Sequence, residues 1–315
     1  MNDFKFEKIA IIGLGLMGSS LALVIKQRDI ANLVMGFDIS EAVRKRAAEL
    51  EFCDAIVDDV AEAVEQADLV IMAVPVGVTG EVAASFISHM KKGAILTDVG
   101  SVKQAVIEQV SPLLADNDGI HFIASHPIAG SELSGPDAGF ATIFDNKWTI
   151  ITPLADVDTQ KLDELKRFWT ACGSNIEILD AKHHDKVLAV TSHIPQLISY
   201  NMVGTAADVE EITQTEVIKY SAGGFRDFTR LAASDPTMWR DVFLHNKEAV
   251  LEMLACFNED LVMLQRAIRR GDGDILYEFF ARTQNMRNEL VDAGQEVAGT
   301  NFGRDENANK ADDAS

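Results

Sequence analysis

Gly13-Leu14-Gly15-Leu16-Met17-Gly18 sets three glycines at the spacing G-x-G-x-x-G, directly after the apolar run Lys8–Ile12 and at the head of a helical segment. At such a junction the first glycine makes a tight turn, the second lets backbone approach a pyrophosphate, and the third lets helix and strand pack closely. The helix N-terminus, with the amides of Leu16 and Met17, offers unpaired donors and a positive dipole end to phosphates. The glycine pattern alone would be a weak signal. Here Asp38 follows about twenty residues beyond Gly18, at the end of a second apolar run, where an acid bonds the ribose hydroxyls of a bound dinucleotide. A carboxylate there repels the 2′-phosphate of NADP, so NAD is the expected cofactor. Arg44 and Lys45, a helical turn farther on, leave only a small opening for NADP. Val74-Pro75, closing a later apolar run, is expected near the nicotinamide or its ribose.

Two further segments carry usable chemistry: Thr97–Lys103 (TDVGSVK) and Ser125–Glu132 (SHPIAGSE). His126 ends an apolar run and precedes proline, which favours an extended backbone and projects the ring from a strand end. An imidazole with a pKa near 6.5 suits a base that takes a hydroxyl proton as hydride leaves the same carbon. A lone histidine is more often a satisfied structural residue; its place beside a nicotinamide favours the catalytic reading.

The elements that must position these residues read as an α/β domain. Lys8–Ile12, Leu33–Asp38, Asp68–Pro75, Ala94–Gly100 and His121–His126 are strand-like, with helical segments such as Ser40–Glu51 and Val78–Met90 between them. Near-continuous apolar strands separated by helices predict a Rossmann-type, doubly wound parallel sheet over residues 1–180. Ligands of such sheets bind outside the carboxyl ends of the strands, where both chemical segments lie. Trp148–Thr152 and Asn175–Leu179, flanking a helix near Val157–Ala171, are expected to extend the same sheet. From about Asp180 strand signals vanish, and 181–298 reads as an all-helical substrate and dimerisation domain. In it Val250, Leu254, Phe257, Leu261, Leu264 and Ile268 form one apolar stripe, expected in a core or a dimer interface. Ser234-Asp235-Pro236 reads as a helix entry, and Gly271-Asp272-Gly273 as a break between helices. The polar segment 299–315 is expected to be disordered.

The formal charge of −21 disfavours nucleic acid and anionic membranes as partners. It does not exclude a small dianionic substrate, because surface charge is screened beyond roughly 8 Å at physiological salt. No apolar run approaches the ~18 residues of a membrane span, and the opening residues lack a secretory pattern, so a cytoplasmic protein is expected. Cys53, Cys172 and Cys256 are far apart and read as buried reduced thiols, with neither a disulfide frame nor a metal site.

The glycine fingerprint, Asp98–Lys103, His126-Pro-Ile-Ala-Gly-Ser-Glu132, Ser192-His193-Ile194-Pro195, Gly223–Arg230 (GGFRDFTR) and Ser234–Arg240 (SDPTMWR) occur together and in order. In this the chain resembles the prephenate/arogenate dehydrogenases across about residues 8–290. The resemblance implies a homodimer and NAD-dependent oxidative decarboxylation of prephenate or arogenate, in tyrosine biosynthesis. His126 would be the base on the ring 4-hydroxyl, Ser101 would orient base and substrate beside the cofactor, and Arg230 would bind a substrate carboxylate. A guanidinium fork suits that task, since it binds carboxylates bidentately and keeps its charge. His193, Ser131 and Glu132 would border the substrate, and Gly223 and Gly224 would approach it as bare backbone, across the dimer interface.

Some relatives carry a second histidine where this chain has Gln196, so the side-chain preference of those relatives does not transfer. No regulatory domain or fused mutase is expected beyond Val297. Two alternatives stay open at this point. A β-hydroxyacid-type dehydrogenase would need a lysine with an asparagine four residues on, but Lys182-His183-His184-Asp185-Lys186 is followed by none at that spacing. A non-catalytic nicotinamide sensor would not need His126, Ser101 and Arg230. His183-His184 is rejected as a metal pair, because adjacent helical residues point about 100° apart.

Overall fold

The computed structural model describes residues 5–131, 133–208, 216 and 219–292. Six strands, β1 (Phe6–Ile12), β2 (Ala31–Phe37), β3 (Ala55–Ile56), β4 (Leu69–Met72), β5 (Ile95–Asp98) and β6 (His121–Phe122), form a parallel sheet in the order β3-β2-β1-β4-β5-β6. That order reverses direction between β1 and β4, the crevice where doubly wound sheets bind ligands. Helices α1 (Leu16–Gln27), α2 (Glu41–Leu50), α3 (Val60–Val64), α4 (Thr79–Phe86) and α5 (Gln104–Val110) connect the strands.

Strand alternation divides the core in two. Ile9, Ile11, Leu69, Ile71 and Ile95 pack on one face with Leu21, Ile25, Phe168 and Trp169. Ala10, Ile12, Val70, Met72 and Leu96 pack on the other with Phe86, Val106 and Val110. All four residues of β4 and all four of β5 are buried, as strands covered on both faces must be. Each large aliphatic or aromatic side chain so buried contributes about 1.5–3 kcal/mol.

One expected strand and one expected sheet need correction. The run His121–His126 divides into β6, which pairs with β5, and β7 (Ala124–Pro127), which pairs antiparallel with β8 (Trp148–Thr152). β8 and β9 (Asn175–Ile178) therefore do not extend the large sheet; with β7 they make a separate three-stranded one. Side chains take the place of a regular ladder between β5 and β7. Thr97 Oγ1 donates to the Ile123 carbonyl at 2.6 Å, and Ser125 Oγ donates to the Asp98 carbonyl at 2.7 Å.

Helix α6 (Thr159–Ala171) joins β8 to β9, and α7 (Ala181–Leu188) follows. Asp158 and Asp180 cap these two helices by accepting amides of their first turns. A π-helical turn, Ala189–His193, leads into α8 (Ile194–Asp208). Beyond lie α9 (Gly223–Thr229), α10 (Pro236–His245), α11 (Lys247–Arg270) and α12 (Gly273–Asp292). Asp235 caps α10 with Pro236 at its first position, the helix entry expected there.

The chain forms two compact units, Met1–Met253 and Leu254–Ser315. In the first, Val250 is buried. In the second the apolar stripe is partly open: Leu254, Phe257 and Leu264 are half-buried, and Leu261 and Ile268 are 46% and 67% exposed. Cys53 and Cys172 are buried, and burial pushes the Cys53 thiol up to about 12. Cys256 is exposed, contrary to expectation, because it sits on an uncovered face of α11. The segment expected to be disordered, and Glu132, lie outside the described residues. Among the described residues no helix is long and apolar enough to cross a membrane.

Candidate active site

The β1–α1 turn is shaped by steric necessity. Gly13 has φ +96°, and a Cβ there would fall 2.4 Å from the Ala73 carbonyl oxygen; a Cβ on Gly18 would fall 1.9 Å from the Gly13 carbonyl oxygen. Gly15 differs: a Cβ would meet no protein atom within 4 Å. The space above Gly15 is thus free for a ligand, and α1 starts there with no side-chain cap on its first amides. These features fit the pyrophosphate of NAD.

Asp38 holds this turn. Its carboxylate accepts from Leu14 N and from Ser40 N, both at 2.9 Å. Arg44, the residue that could have favoured NADP, is engaged elsewhere. It donates to the Asp38 carbonyl at 2.8 Å and to Asp58 at 2.9 Å, and its guanidinium lies 5.8 Å from the Phe37 ring centre. Lys45 pairs with Glu41.

From this turn a cleft of about 530 Å³ opens over the strand ends. Its wall includes Gly15, Leu16 and Met17 of the glycine turn, Val74-Pro75 after β4, Ser101 after β5, His126 on β7, and Ser131. The segment bearing Ser131 is anchored at its far end, where Arg46 grips Asp137 and Phe140 N donates to Ser20 Oγ at 3.1 Å. Ser234, Asp235, Thr237 and Met238, at the entry of α10, complete the wall. Those four were not anticipated as site residues; the only signal for them was the Ser234–Arg240 segment itself.

His126 is 8% exposed and sits in a buried polar network. Its Nδ1 lies 2.8 Å from His184 Nε2, and His184 Nδ1 lies 2.8 Å from Asp185 Oδ1. Asp185 also accepts the amides of Lys103 (2.7 Å) and Gln104 (2.9 Å), where α5 begins. Below His126, the fully buried Lys103 ammonium pairs with Asp98 and donates to the Ser125 carbonyl at 2.7 Å. Asp98 in turn accepts Gly100 N at 2.8 Å and Ser125 N at 3.2 Å, which fixes the loop carrying Ser101 against the strand carrying His126. Burial first, then the charges of His184, Lys103 and His193, holds the His126 pKa well below the usual histidine range.

Sequence reasoning missed His184, Asp185 and Asn246. His184 is buried while its neighbour His183 is exposed, the divergence expected of adjacent helical residues. Asn246 Nδ2 donates to the Asp185 carbonyl at 2.8 Å and to His193 Nδ1 at 3.0 Å. His193, on the π-helical turn, therefore carries its proton on Nε2, and that buried N–H has no partner among the described residues. Burial lowers its pKa to about 4.

The remaining expected residues lie outside the cleft wall. Gln196 is buried on α8 and donates to the Leu231 carbonyl at 2.6 Å. Arg230 is exposed just after α9, and Gly223 and Gly224 are exposed at its start. Among the described residues the cleft wall holds no lysine or arginine.

Comparison with known proteins bears on the whole chain. Residues 21–178 match the model described as prephenate dehydrogenase, nucleotide-binding domain, and residues 180–282 match prephenate dehydrogenase, dimerization domain. A cyclohexadienyl dehydrogenase of Zymomonas mobilis is 44% identical over 286 residues, 90% of this chain and 96% of that one. A prephenate dehydrogenase of Bacillus subtilis is 33% identical over 294 residues, covering 92% of this chain and 77% of its own length. Among solved structures, prephenate dehydrogenase of Aquifex aeolicus in complex with hydroxyphenyl propionate and NAD+ superposes with a TM-score of 0.83 at 31% identity, covering 92% of this chain and 100% of that one. With a glycine turn shaped for a dinucleotide and a buried histidine facing the same cleft, the chain belongs to the prephenate dehydrogenase family.

Proposed function

We propose that this cleft oxidatively decarboxylates prephenate or arogenate with NAD, yielding 4-hydroxyphenylpyruvate or tyrosine in tyrosine biosynthesis. The observation that carries the reading is the single cleft wall shared by Gly15, Leu16, Met17, Val74 and Pro75 on the cofactor side and Ser101 and His126 on the reacting side. NAD, when bound, supplies the acceptor for hydride from ring C4. His126 takes the 4-hydroxyl proton as that hydride leaves. As the bond between C1 and its carboxylate breaks, the electron pair enters the ring, carbon dioxide departs, and the proton returns to the new phenol oxygen. Ser101 orients the hydroxyl beside the base.

A dianionic substrate requires a cation, and among the described residues none stands in the cleft wall. Arg230, four residues before Ser234 of that wall, is the proposed carboxylate ligand. The partnerless Nε2–H of His193 is the proposed donor to a substrate oxygen, because a buried donor left unsatisfied costs about 1–3 kcal/mol. Gln196 and Ser131 are the proposed residues bordering the substrate side chain, with Gly223 and Gly224 approaching it from a partner subunit; Glu132, expected beside them, lies outside the described residues.

The proposed assembly is a homodimer built on the helical region and working in the cytoplasm, with 1–180 as the cofactor domain and 181–298 as the substrate and dimerisation domain. The partly open apolar stripe of α11 supports a second copy as its cover. The test is reduction of NAD by the purified protein with prephenate and arogenate in turn. Turnover of neither substrate would overturn the reading.

A further inference from the structure

The contacts of His126 raise a question that the base assignment leaves open: which ring nitrogen carries the proton before reaction. Nδ1 faces inward against His184, so Nε2 is the nitrogen left for a ligand in the cleft. A histidine protonated on Nε2, the tautomer a free neutral imidazole prefers, would present a donor to the cleft and could accept nothing there.

We propose that His184 and Asp185 form a positioning relay that holds His126 as the Nδ1–H tautomer and so presents a bare Nε2 to the substrate hydroxyl. The inference rests on the reading of His126 as the base. The chain of donors and acceptors has one solution. The Asp185 carboxylate only accepts, and it is already held by the Lys103 and Gln104 amides at 2.7 and 2.9 Å. At 2.8 Å from it, His184 Nδ1 must therefore donate. A neutral His184 then has a bare Nε2, which must accept across the next 2.8 Å from His126 Nδ1–H. When His126 later takes the substrate proton on Nε2, its Nδ1–H points along this chain toward the Asp185 carboxylate, which favours the imidazolium.

The surroundings keep the relay in this state. His184 is fully buried, and burial, the larger influence, lowers its pKa despite the Asp185 carboxylate beside it, so it is neutral at neutral pH. The other titratable groups facing His126 are Lys103, whose ammonium is paired with Asp98, and His193, which is neutral. Asn246, capping the end of α10, pins the Asp185 backbone at 2.8 Å, so the carboxylate cannot swing away with α7 alone. Neither His184 nor Asp185 lines the cleft. They act through His126.

The test has two arms on the full chain. Nitrogen-15 NMR of the imidazole nitrogens at neutral pH, with His126 assigned by its disappearance in His126→Asn, should show Nδ1 protonated and Nε2 bare. In the kinetic arm, His184→Leu removes the acceptor and should lower kcat on the order of 10- to 100-fold, comparable to removing the outer-shell partner of a metal-bound histidine. The Michaelis constants for substrate and NAD should hold. His184→Gln keeps a carbonyl acceptor and should recover most of the loss. An Nε2–H tautomer in the wild type, or a His184→Leu enzyme with undiminished kcat, overturns the relay. The NMR arm decides even where His184→Leu does not fold. Full kcat in His126→Asn would instead overturn the base assignment beneath it; low kcat there, with an Nε2–H tautomer in the wild type, overturns the relay alone.

Discussion

A histidine that takes a proton works only while it is neutral, and His126 is neutral over a wider range than a free imidazole. Burial and the neighbouring His184, Lys103 and His193 hold its pKa well below 6.5. The acid limb of kcat should therefore lie below the ordinary histidine range, and a pH–rate profile locates it. His126→Asn should lower kcat by about 10²–10⁴, with a nearly unchanged substrate Michaelis constant and no acid limb. As the proposed carboxylate ligand, Arg230 would act in ground and transition states alike, so Arg230→Ala should chiefly raise the Michaelis constant. A lost charged pair of about 2–4 kcal/mol corresponds to roughly 30- to 1,000-fold, and near-wild-type saturation would remove Arg230 from the site. Asp38 should enforce at least about tenfold preference for NAD over NADP, about 1.4 kcal/mol, since Arg44 is tied to Asp58 and the Asp38 carbonyl. Catalytic efficiencies with both cofactors check it. At this scale the sequence told residue type and place: His126 before a proline, Asp38 at a strand end. It did not reveal His184, because a partner 58 residues away leaves no local pattern.

The elements were legible where periodicity encodes them and opaque where pairing does. The alternation that divides β1 and β4 between two core faces is written in their residues. Nothing in His121–His126 marks the switch from β5 to β8, because hydroxyls of Thr97 and Ser125 satisfy carbonyls that a ladder amide would otherwise reach. The glycine turn permits a sharp separation of structural from ligand roles. Gly18→Ala forces a Cβ to 1.9 Å from a carbonyl oxygen and should lower stability by about 1–3 kcal/mol or more. Gly15→Ala meets no protein atom and should leave the melting temperature alone while weakening NAD at least about tenfold. Calorimetry with NAD titration reads both; a destabilised Gly15→Ala would count against the open space as a phosphate position. The α7–π-turn segment carries a pH signature as well. His184 and His193 have lowered pKa values, mainly through burial, so below about pH 6.5 the unfolded chain binds protons that the folded chain refuses. Stability should be complete above that pH and fall on acidification toward about 4, the value for His193. Urea midpoints between pH 7 and pH 5 measure the slope, and replacing His193 with glutamine should flatten it.

At the scale of the whole molecule, charge and apolar surface pull in opposite directions. Each chain carries −21, so two copies repel, and only a substantial apolar contact can hold them together. The second unit offers such a surface: Ile268, Tyr277, Phe280 and Met286 are between 55% and 74% exposed. The stripe on α11 was legible as a stripe, but sequence alone left its cover as either core or partner. In the single chain Leu261 and Ile268 lie open, which favours the partner. The association should therefore show the salt dependence of an apolar contact between like charges. Screening weakens the repulsion and leaves the apolar term intact, so the dimer should tighten from low salt to physiological salt. Light scattering at micromolar protein should give twice 34.4 kDa. Introducing charge by Leu261→Glu together with Ile268→Glu should shift the mass toward one chain with little change in melting of the first unit, because neither side chain is buried in the monomer. A wild-type mass of one chain, or a dimer that loosens as salt rises, would remove the proposed partner and with it any role for Gly223 and Gly224 across an interface.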